Sequence, residues 1–241
     1  MEVLSLYYSQ NIAFFQRLLF FKKAAILSLT GADVCAVTPD ESRDINMEKK
    51  IGCLIMASGN ATRFAANKLT AMLDGEMLIS RTLQSVPQAL FSRLTVVTQY
   101  PTVAQLAKAA GFVTLHNAHP DWGVSHTILL GTQAMQDCDA ILYLVADQPL
   151  LRQGSITHIV QTWLAAPEYI VGASHNGKRG NPCIFPKRFF PELMQLQGDS
   201  GGNQIIRAHP SCLKLAEIPK LELSDVDTPE MLAAMEKQCK K

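Results

Sequence analysis

The chain has 241 residues, 48% of them hydrophobic, and a formal net charge of +1 at pH 7. This length and composition suffice for one substantial α/β core. The near-zero charge excludes a broad basic surface of the kind that binds nucleic acid or membranes, so any site for a polyanion is expected to be local.

The cysteine pattern bears on the compartment. The six cysteines are scattered along the chain without a C-x-x-C pair. Zinc sites and disulfide frameworks rest on characteristic cysteine spacings, so neither is expected here. The pattern favours a reducing environment, and we predict a cytoplasmic protein.

Residues 1–46 precede the first regular pattern of the chain. Polar and charged side chains interrupt their apolar stretch, at Gln16, Arg17, Lys22 and Lys23. Charges at mid-span disfavour a membrane helix, and a signal peptide would carry its basic residues before the apolar run. We predict a domain at residues 47–241. For residues 1–46 two interpretations stay open, an optional extension or misplaced start and an amphipathic interface helix.

Short apolar runs alternate with helical patterns from residue 51 onward. This alternation is typical of stacked βαβ units and predicts an α/β fold with a mostly parallel central sheet. Strands are predicted at 51–56, 94–98, 112–115, 140–145 and 169–173, and helices at 76–90, 103–110 and 125–136. Further signals are N-caps at Ser125 and Ser155, a hairpin turn at Asn176-Gly177, and a terminal helix after Asp227-Thr228-Pro229.

The first predicted strand leads into a loop of small residues followed by two cations. The loop is Ala57-Ser58-Gly59, and Arg63 and Lys68 come after it. Backbone N–H groups of such a loop, with cations beside them, can bind a phosphate chain. The pattern lacks the Gly-Lys-Ser/Thr ending of a P-loop and the spaced glycines of a dinucleotide fingerprint. It resembles the strand-to-loop signature of nucleotidyltransferases.

Asp147 follows the strongly apolar strand predicted at 140–145. Open α/β sheets bind ligands at the carboxyl ends of their strands, so this carboxylate is expected in the crevice above the sheet. Mg²⁺ prefers one or two carboxylates and leaves its other positions to phosphate oxygens and water. Asp147 is therefore the first candidate metal ligand, with a turn or cap acid as the alternative.

A second carboxylate is expected from Asp225-Val226-Asp227. Alternate residues of an extended segment face the same side, so both aspartates could approach one metal. Asp227 is the preferred second ligand, and its alternative role is the N-cap of the terminal helix.

Two polar loops with glycines lie in the second half of the chain, at Arg179-Gly180-Asn181-Pro182 and Gly198-Asp199-Ser200-Gly201-Gly202. Glycine lets a backbone approach a ligand closely, and arginine binds anionic groups. Ordinary turns remain the alternative for each loop.

In this order, the motifs are similar to those of the molybdenum cofactor cytidylyltransferases, relatives of the molybdenum cofactor guanylyltransferases. The resemblance covers about residues 51–237. It rests on the 57–59 loop with its two cations, on Ala146-Asp147-Gln148-Pro149, and on the two glycine-bearing loops and Asp225-Val226-Asp227-Thr228-Pro229. It implies the three-layer, Rossmann-like fold of the nucleotide-diphospho-sugar transferases.

The resemblance also implies a reaction, the transfer of CMP from CTP to the terminal phosphate of molybdopterin carrying molybdenum, with Mg²⁺ as cofactor. A molybdenum hydroxylase receiving the product is the protein partner it suggests. The implied catalytic residues are Arg63, Lys68 and Asp147, and the implied metal ligands are Asp147 and Asp227. Nucleotide contacts are implied for Ala57, Ser58, Gly59, Lys68, Thr98 and Asn117, and acceptor contacts for Arg179, Gly180, Asn181, Asp199 and Gly201.

Two other functions stay open at the level of sequence. One is a cytidylyl- or guanylyltransferase for a different phosphorylated acceptor, because the loop, the Mg²⁺ site and the sheet would look the same. The other is a nucleotide-binding cofactor chaperone that has lost turnover. The family usually has glycine two residues after the loop arginine, but this chain has Ala65 there. This departure leaves the chaperone function open.

Overall fold

The structure is a computed structural model that describes residues 49–60, 64 and 67–239. The predicted extension at 1–46 lies outside these residues, and so does Arg63. Within the described part of the chain, no helix is both long enough and apolar enough to cross a membrane.

The described residues form nine strands and seven α-helices. The strands are β1 (Ile51–Ala57), β2 (Met72–Leu73), β3 (Glu76–Met77), β4 (Arg93–Thr98), β5 (Val113–His116), β6 (Ala140–Val145), β7 (Ile170–His175), β8 (Lys178–Pro186) and β9 (Leu213–Glu217). The helices are α1 (Leu78–Ser85), α2 (Pro101–Ala109), α3 (Val124–Ala134), α4 (Gln153–Leu164), α5 (Phe190–Leu193), α6 (Asn203–Ala208) and α7 (Pro229–Cys239).

Seven of the strands form one sheet in the order β5-β4-β1-β6-β8-β7-β9. Strand β1 pairs in parallel with β4 and β6, β4 pairs in parallel with β5, and β7 pairs in parallel with β9. Only β8 among these seven strands runs antiparallel to its neighbours, β6 and β7. The predicted α/β fold with a mostly parallel central sheet is confirmed.

Helices cover both faces of this sheet, which gives three layers. Strand β1 is buried on both sides, with Cys53 and Ile55 in one apolar cluster and Leu54 in the other. Alternate residues of a strand face opposite sides, so one apolar strand contributes to both cores. The first cluster includes residues of α1, α2 and α4, and the second includes residues of α3, α5 and α6.

A glycine allows α3 to lie close to the sheet. A Cβ at Gly131 would stand 2.3 Å from Leu54 Cδ2 on β1. A larger residue there would push the helix away from the strand. This contact matters for function because the first turn of α3 borders the cleft described below.

Three predicted helix starts are corrected. The helix predicted at 76–90 is limited to Leu78–Ser85. Its start is later because Asp74 and Gly75, both with positive φ, form a turn that pairs β2 with β3, and its end is earlier because Val86, which precedes Pro87, is extended. Ser125 and Ser155 are not N-caps, because α3 begins at Val124 and α4 at Gln153, so both serines lie inside a first helical turn. Polar residues near a helix start indicate its position only approximately.

The terminal helix begins where its proline predicted, but with a different cap. Thr228 lies directly before α7. Its Oγ1 accepts a hydrogen bond at 3.2 Å from the backbone N–H of Met231, which lies inside the helix. The alternative role of Asp227 as the cap is therefore wrong, and its carboxylate is available for other contacts.

Candidate functional site

A cleft of about 480 Å³ opens at the carboxyl ends of β1 and β6. These two strands are parallel neighbours, so the segments that follow them leave the sheet side by side. The polar residues that line the cleft are Ser58, Asn60, Lys68, Asp121, Asp147 and Asp199, beside Ala57 and Gly59. Ligands of open α/β sheets bind at this edge.

Two side chains that follow β4 hold the loop after β1 in place. Gln99 Nε2 donates to the carbonyl oxygen of Ser58 at 2.9 Å and to Asn60 Oδ1 at 2.8 Å. Tyr100 Oη donates to the carbonyl oxygen of Gly59 at 2.9 Å. Sequence reasoning missed both residues, although β1 and β4 are adjacent and end at the same edge.

Ser58 is the loop residue most suited to meet a ligand. Its side chain is buried, and its Oγ has no hydrogen-bond partner among the described residues. A buried hydroxyl without a partner loses free energy, and a ligand oxygen or nitrogen in the cleft would supply the missing bond.

Lys68 projects into the cleft from a 3-10 turn, Lys68–Thr70. Asn67 Oδ1 accepts the backbone N–H of Leu69 at 3.0 Å, and the Leu69 side chain is buried in the core. The ammonium of Lys68 lies 2.6 Å from Asp147 Oδ2 and 3.2 Å from Asp227 Oδ1. Side chains far apart in sequence thus meet at one point, as the predicted phosphate and metal sites require.

Backbone contacts bring the two acidic segments together. The backbone N–H of Val226 donates to the carbonyl oxygen of Asp147 at 2.9 Å, and the Val226 side chain is fully buried. On the other side, Thr82 Oγ1 of α1 donates to the carbonyl oxygen of Ala146 at 3.1 Å. These contacts fix the exit of β6 beside the segment that precedes α7.

The acidic cluster carries an excess of negative charge. Burial, together with the charges of Asp147 and Asp227, raises the pKa of Asp225 to about 6. Its Oδ1 is buried and has no hydrogen-bond partner among the described residues. Burial alone would lower the pKa of Lys68, but Asp147 and then Asp227 raise it above its ordinary value. One ammonium therefore contacts two carboxylates, and the third carboxylate of the cluster, Asp225, has no ion pair of its own among the described residues.

This donor set fits a hard divalent cation. Among the described residues no cluster of three or more His, Cys, Asp or Glu side chains could hold a metal by itself. Mg²⁺ typically takes one or two protein carboxylates and completes its shell with phosphate oxygens and water. The pair Asp147 and Asp227 offers that number of ligands and depends on a phosphate ligand for the rest.

A second pocket of about 240 Å³ adjoins the cleft. The two share Met56, Val124, Val145 and Asp199 in their linings. Phe185 and Tyr143 contribute an aromatic wall, and the polar residues of the lining include Arg179, Asn181, Asp199 and Asn203, beside Gly201 and Gly202. The two glycine-bearing loops predicted from sequence therefore meet here. Gly180 is outside the described lining and packs against Leu223.

Close packing and two hydrogen bonds, one of them from Nη1 to Cys183 Sγ at 3.7 Å, hold Arg179 at the second pocket. Its side chain crosses Gly172, where a Cβ would stand 2.9 Å from Arg179 Cδ. Its Nη2 donates to Asn203 Oδ1 at the start of α6. The guanidinium retains further N–H donors, which suit an anionic or carbonyl-bearing ligand.

The sequence profile of the MobA-like NTP transferase domain matches residues 53–213, which include the loop, Lys68, Asp147 and Arg179. The chain belongs to this family. It is therefore a nucleotidyltransferase by family, with a nucleoside triphosphate as one substrate.

The chain is also similar to one named protein and to solved structures. The purine catabolism protein PucB of Bacillus subtilis (strain 168) is 27% identical over 190 residues, which are 73% of this chain and 91% of PucB. A nucleotidyl transferase from Methanothermobacter thermautotroptrophicus has a similar structure, with a TM-score of 0.67, 18% identity, and coverage of 78% of this chain and 97% of that one. The structure of a CMP:2-keto-3-deoxy-manno-octonic acid synthetase complexed with CTP is also similar, with a TM-score of 0.64 and 14% identity. The match covers 80% of this chain and 99% of the synthetase. At these identities the solved structures establish the fold of the MobA-like domain.

Thr98 and Asn117 have protein partners and are outside the described linings of both pockets. Thr98 Oγ1 donates to the carbonyl oxygen of Ala57 at 2.9 Å and accepts the N–H of Tyr100 at 3.1 Å. Asn117 Oδ1 accepts the N–H of His119 at 3.0 Å and lies 2.8 Å from His126 Nδ1. Both side chains support the loops of the MobA-like domain. Their predicted contacts with the nucleotide stay predictions.

Gly123 joins the loops that border the two pockets. Its φ is +83°, and a Cβ there would stand 2.3 Å from the carbonyl carbon and oxygen of Gly198. The neighbouring Ser125 N–H donates to that oxygen at 3.1 Å. The start of α3 and the 198–202 loop are therefore in direct contact.

We expect Gly123→Ala to displace the 198–202 loop and to lower the free energy of unfolding by about 2–4 kcal/mol, since backbone strain and a steric clash add. Urea unfolding measures this change. Gly177→Ala is the matched control, because Gly177 also has a positive φ, +73°, but a Cβ there has no described heavy atom within 4 Å. Gly177→Ala therefore measures the cost of a positive φ without the steric clash, about 1–2 kcal/mol of the free energy of unfolding. Equal losses in the two variants would contradict the role of the contact.

Proposed function

We propose that this MobA-like transferase moves CMP from CTP to the terminal phosphate of molybdopterin carrying molybdenum, with release of pyrophosphate. One observation carries the proposal. Lys68 and Asp147 meet in a cleft beside the 57–59 loop, and a second pocket with Arg179 adjoins that cleft. Transfer of a group between two substrates requires adjoining sites that hold both in reacting positions.

In this proposal the triphosphate lies in the first cleft. The backbone N–H groups after β1, the Ser58 hydroxyl and the Lys68 ammonium offer donors to its oxygens. Arg63 remains a further candidate from the sequence. The choice of cytosine is supported by the Ala146-Asp147-Gln148-Pro149 and Arg179-Gly180-Asn181-Pro182 motifs. It is also in keeping with the structurally similar synthetase that was solved with CTP.

Asp147 and Asp227 are the proposed ligands of Mg²⁺, and both of their charges act on Asp225, whose Oδ1 has no hydrogen-bond partner in the described part of the chain. When bound, Mg²⁺ would neutralise charge on the triphosphate. The protein contributes the fixed positions of these carboxylates, which follow from the Val226 N–H bond to the Asp147 carbonyl oxygen.

The acceptor is proposed to occupy the second pocket. Its aromatic and apolar wall suits the flat ring system of a pterin, and Arg179 with Asn181 and Asp199 can bind polar atoms at its edge. Arg179 would hold the acceptor so that its phosphate points into the first cleft. An acceptor oxygen then forms a bond to the α-phosphorus, the bond between that phosphorus and the bridging oxygen breaks, and pyrophosphate leaves.

The location and the recipient follow from the same proposal. Transfer of the product to a molybdenum hydroxylase would place the protein in the cytoplasm, in keeping with the four cysteines whose side chains the structure describes, all of which are free thiols.

The test is a pyrophosphate-release assay with purified protein, Mg²⁺, molybdenum-loaded molybdopterin, and CTP or GTP in separate reactions. We expect release that requires both CTP and the acceptor. Faster release with GTP would overturn the assignment of the base. Release that occurs only with another phosphorylated acceptor would overturn the assignment of molybdopterin, and tight CTP binding without release from any acceptor would indicate a chaperone.

A further inference from the structure

The ammonium of Lys68 occupies the position between the two carboxylates that the proposed function assigns to the metal. It lies 2.6 Å from Asp147 Oδ2 and 3.2 Å from Asp227 Oδ1, and the Lys68 side chain is 16% exposed. Both contacts are within hydrogen-bonding distance, so the two carboxylates are already paired with a cation of the protein itself.

A divalent cation on the same carboxylate oxygens would lie next to this ammonium. Like charges at such short range repel strongly in a partly buried site, where water screens them little. The negative charge of the cluster attracts both the ammonium and a divalent cation, but in the structure the ammonium of Lys68 is paired with both carboxylates. Lys68 and a free metal ion are therefore competitors.

The ammonium of Lys68 can move away from the two carboxylates without a change in the backbone. The backbone of its turn is anchored by the buried Leu69 side chain and by the Asn67 Oδ1 bond to the Leu69 N–H. The lysine side chain, by contrast, is a flexible four-carbon stem whose ammonium can move by rotation about its own bonds. The cleft beside it is open and offers room for phosphate oxygens.

We propose that Lys68 is a displaceable counter-ion, which keeps free divalent metal off Asp147 and Asp227 until a nucleoside triphosphate arrives. The triphosphate offers the ammonium new partners and brings metal-binding oxygens of its own. The metal and the nucleotide then bind together, and each raises the affinity for the other. This inference rests on the proposed function for the place of the nucleotide, but the competition itself is a property of the free protein.

The test measures binding of Mn²⁺, as a spectroscopic substitute for Mg²⁺, from the loss of its free-ion electron paramagnetic resonance signal. We expect Lys68→Met to bind Mn²⁺ without nucleotide at least about tenfold more tightly than the wild type, because removing the ammonium removes the repulsion. Lys68→Arg keeps the charge and should bind as weakly as the wild type. Lys108→Met, which removes an exposed lysine on α2, is the matched control and should change nothing.

CTP should raise the affinity of the wild type for Mn²⁺ at least about tenfold, and should raise that of Lys68→Met much less. Lys68→Gln carries the same expectation as Lys68→Met should the latter fail to fold, as judged by circular dichroism. Binding of Mn²⁺ to the neutral variants that is no tighter than to the wild type would overturn the proposal. A difference in Mn²⁺ binding without pyrophosphate release in the assay above would support the counter-ion and reject the transferase reaction.

Discussion

Replacing Asp147 with asparagine is expected to lower kcat by about a hundredfold to a thousandfold, the scale on which a fixed electrostatic contact to a reacting group contributes. Asparagine keeps the shape of the side chain but removes the charge that pairs with Lys68 and would hold Mg²⁺. The loss of stability should be under about 1 kcal/mol, because Lys68 keeps its contact with Asp227 at 3.2 Å and the negative charge that Asp147 places near Asp225 is removed. Steady-state pyrophosphate release and thermal unfolding measure the two quantities.

A surface aspartate provides the control. Asp137 forms an ion pair with Arg93 at 3.0 Å, with about half of each side chain accessible to solvent. Asp137→Asn therefore removes the same charge at a position that has no part in the proposed reaction, and it should leave kcat unchanged. An Asp147→Asn protein that retains kcat within about threefold of the wild type would remove Asp147 from the mechanism.

The second large effect is expected at the acceptor side. Arg179→Gln should raise KM for the acceptor by about tenfold to a hundredfold, which corresponds to the loss of one hydrogen bond to a charged group. KM for CTP should stay constant, because Arg179 lines the second pocket and is not part of the described lining of the first cleft. Measuring both KM values at saturating co-substrate separates the two sites.

Lys178→Gln is the control for this change. Lys178 is adjacent in sequence, carries the same charge and is exposed on β8. Its replacement should alter neither KM. Should Arg179→Gln raise KM for CTP instead of KM for the acceptor, the assignment of the two pockets would have to be reversed.

Parts of the chain were predictable because a single physical rule governs them locally. The uninterrupted apolar run at 140–145 is the observed strand Ala140–Val145. The hairpin at Asn176-Gly177 was recognisable since both residues adopt positive φ, which asparagine and glycine tolerate best. The placement of Asp147 at the edge of the sheet followed from the strand that precedes it.

The bounds of strand β8, the second strand of that hairpin, and the existence of strand β9 escaped prediction because their signals are not local. Strand β8 begins with one exposed and three half-buried residues and is buried from Pro182 onward, so its polar first part gives no strand pattern of its own. Edge strand β9 is short and largely exposed. Both are fixed by pairing with β7, a partner that periodicity within one segment cannot reveal.

The sequence by itself determined the fold class and the chemical types of the site, since apolar periodicity, small-residue loops and isolated acids are properties of short segments. Only the tertiary structure decided which of these residues meet. In the structure Asp227 forms an ion pair with Lys68, and Thr228 caps the terminal helix. Thr98 and Asn117 are buried and form hydrogen bonds within the protein. The reason is physical. Electrostatic and hydrogen-bonding contacts act over a few ångströms in space, and distance in space between residues far apart in the chain is set by the packing of the whole sheet and its helices.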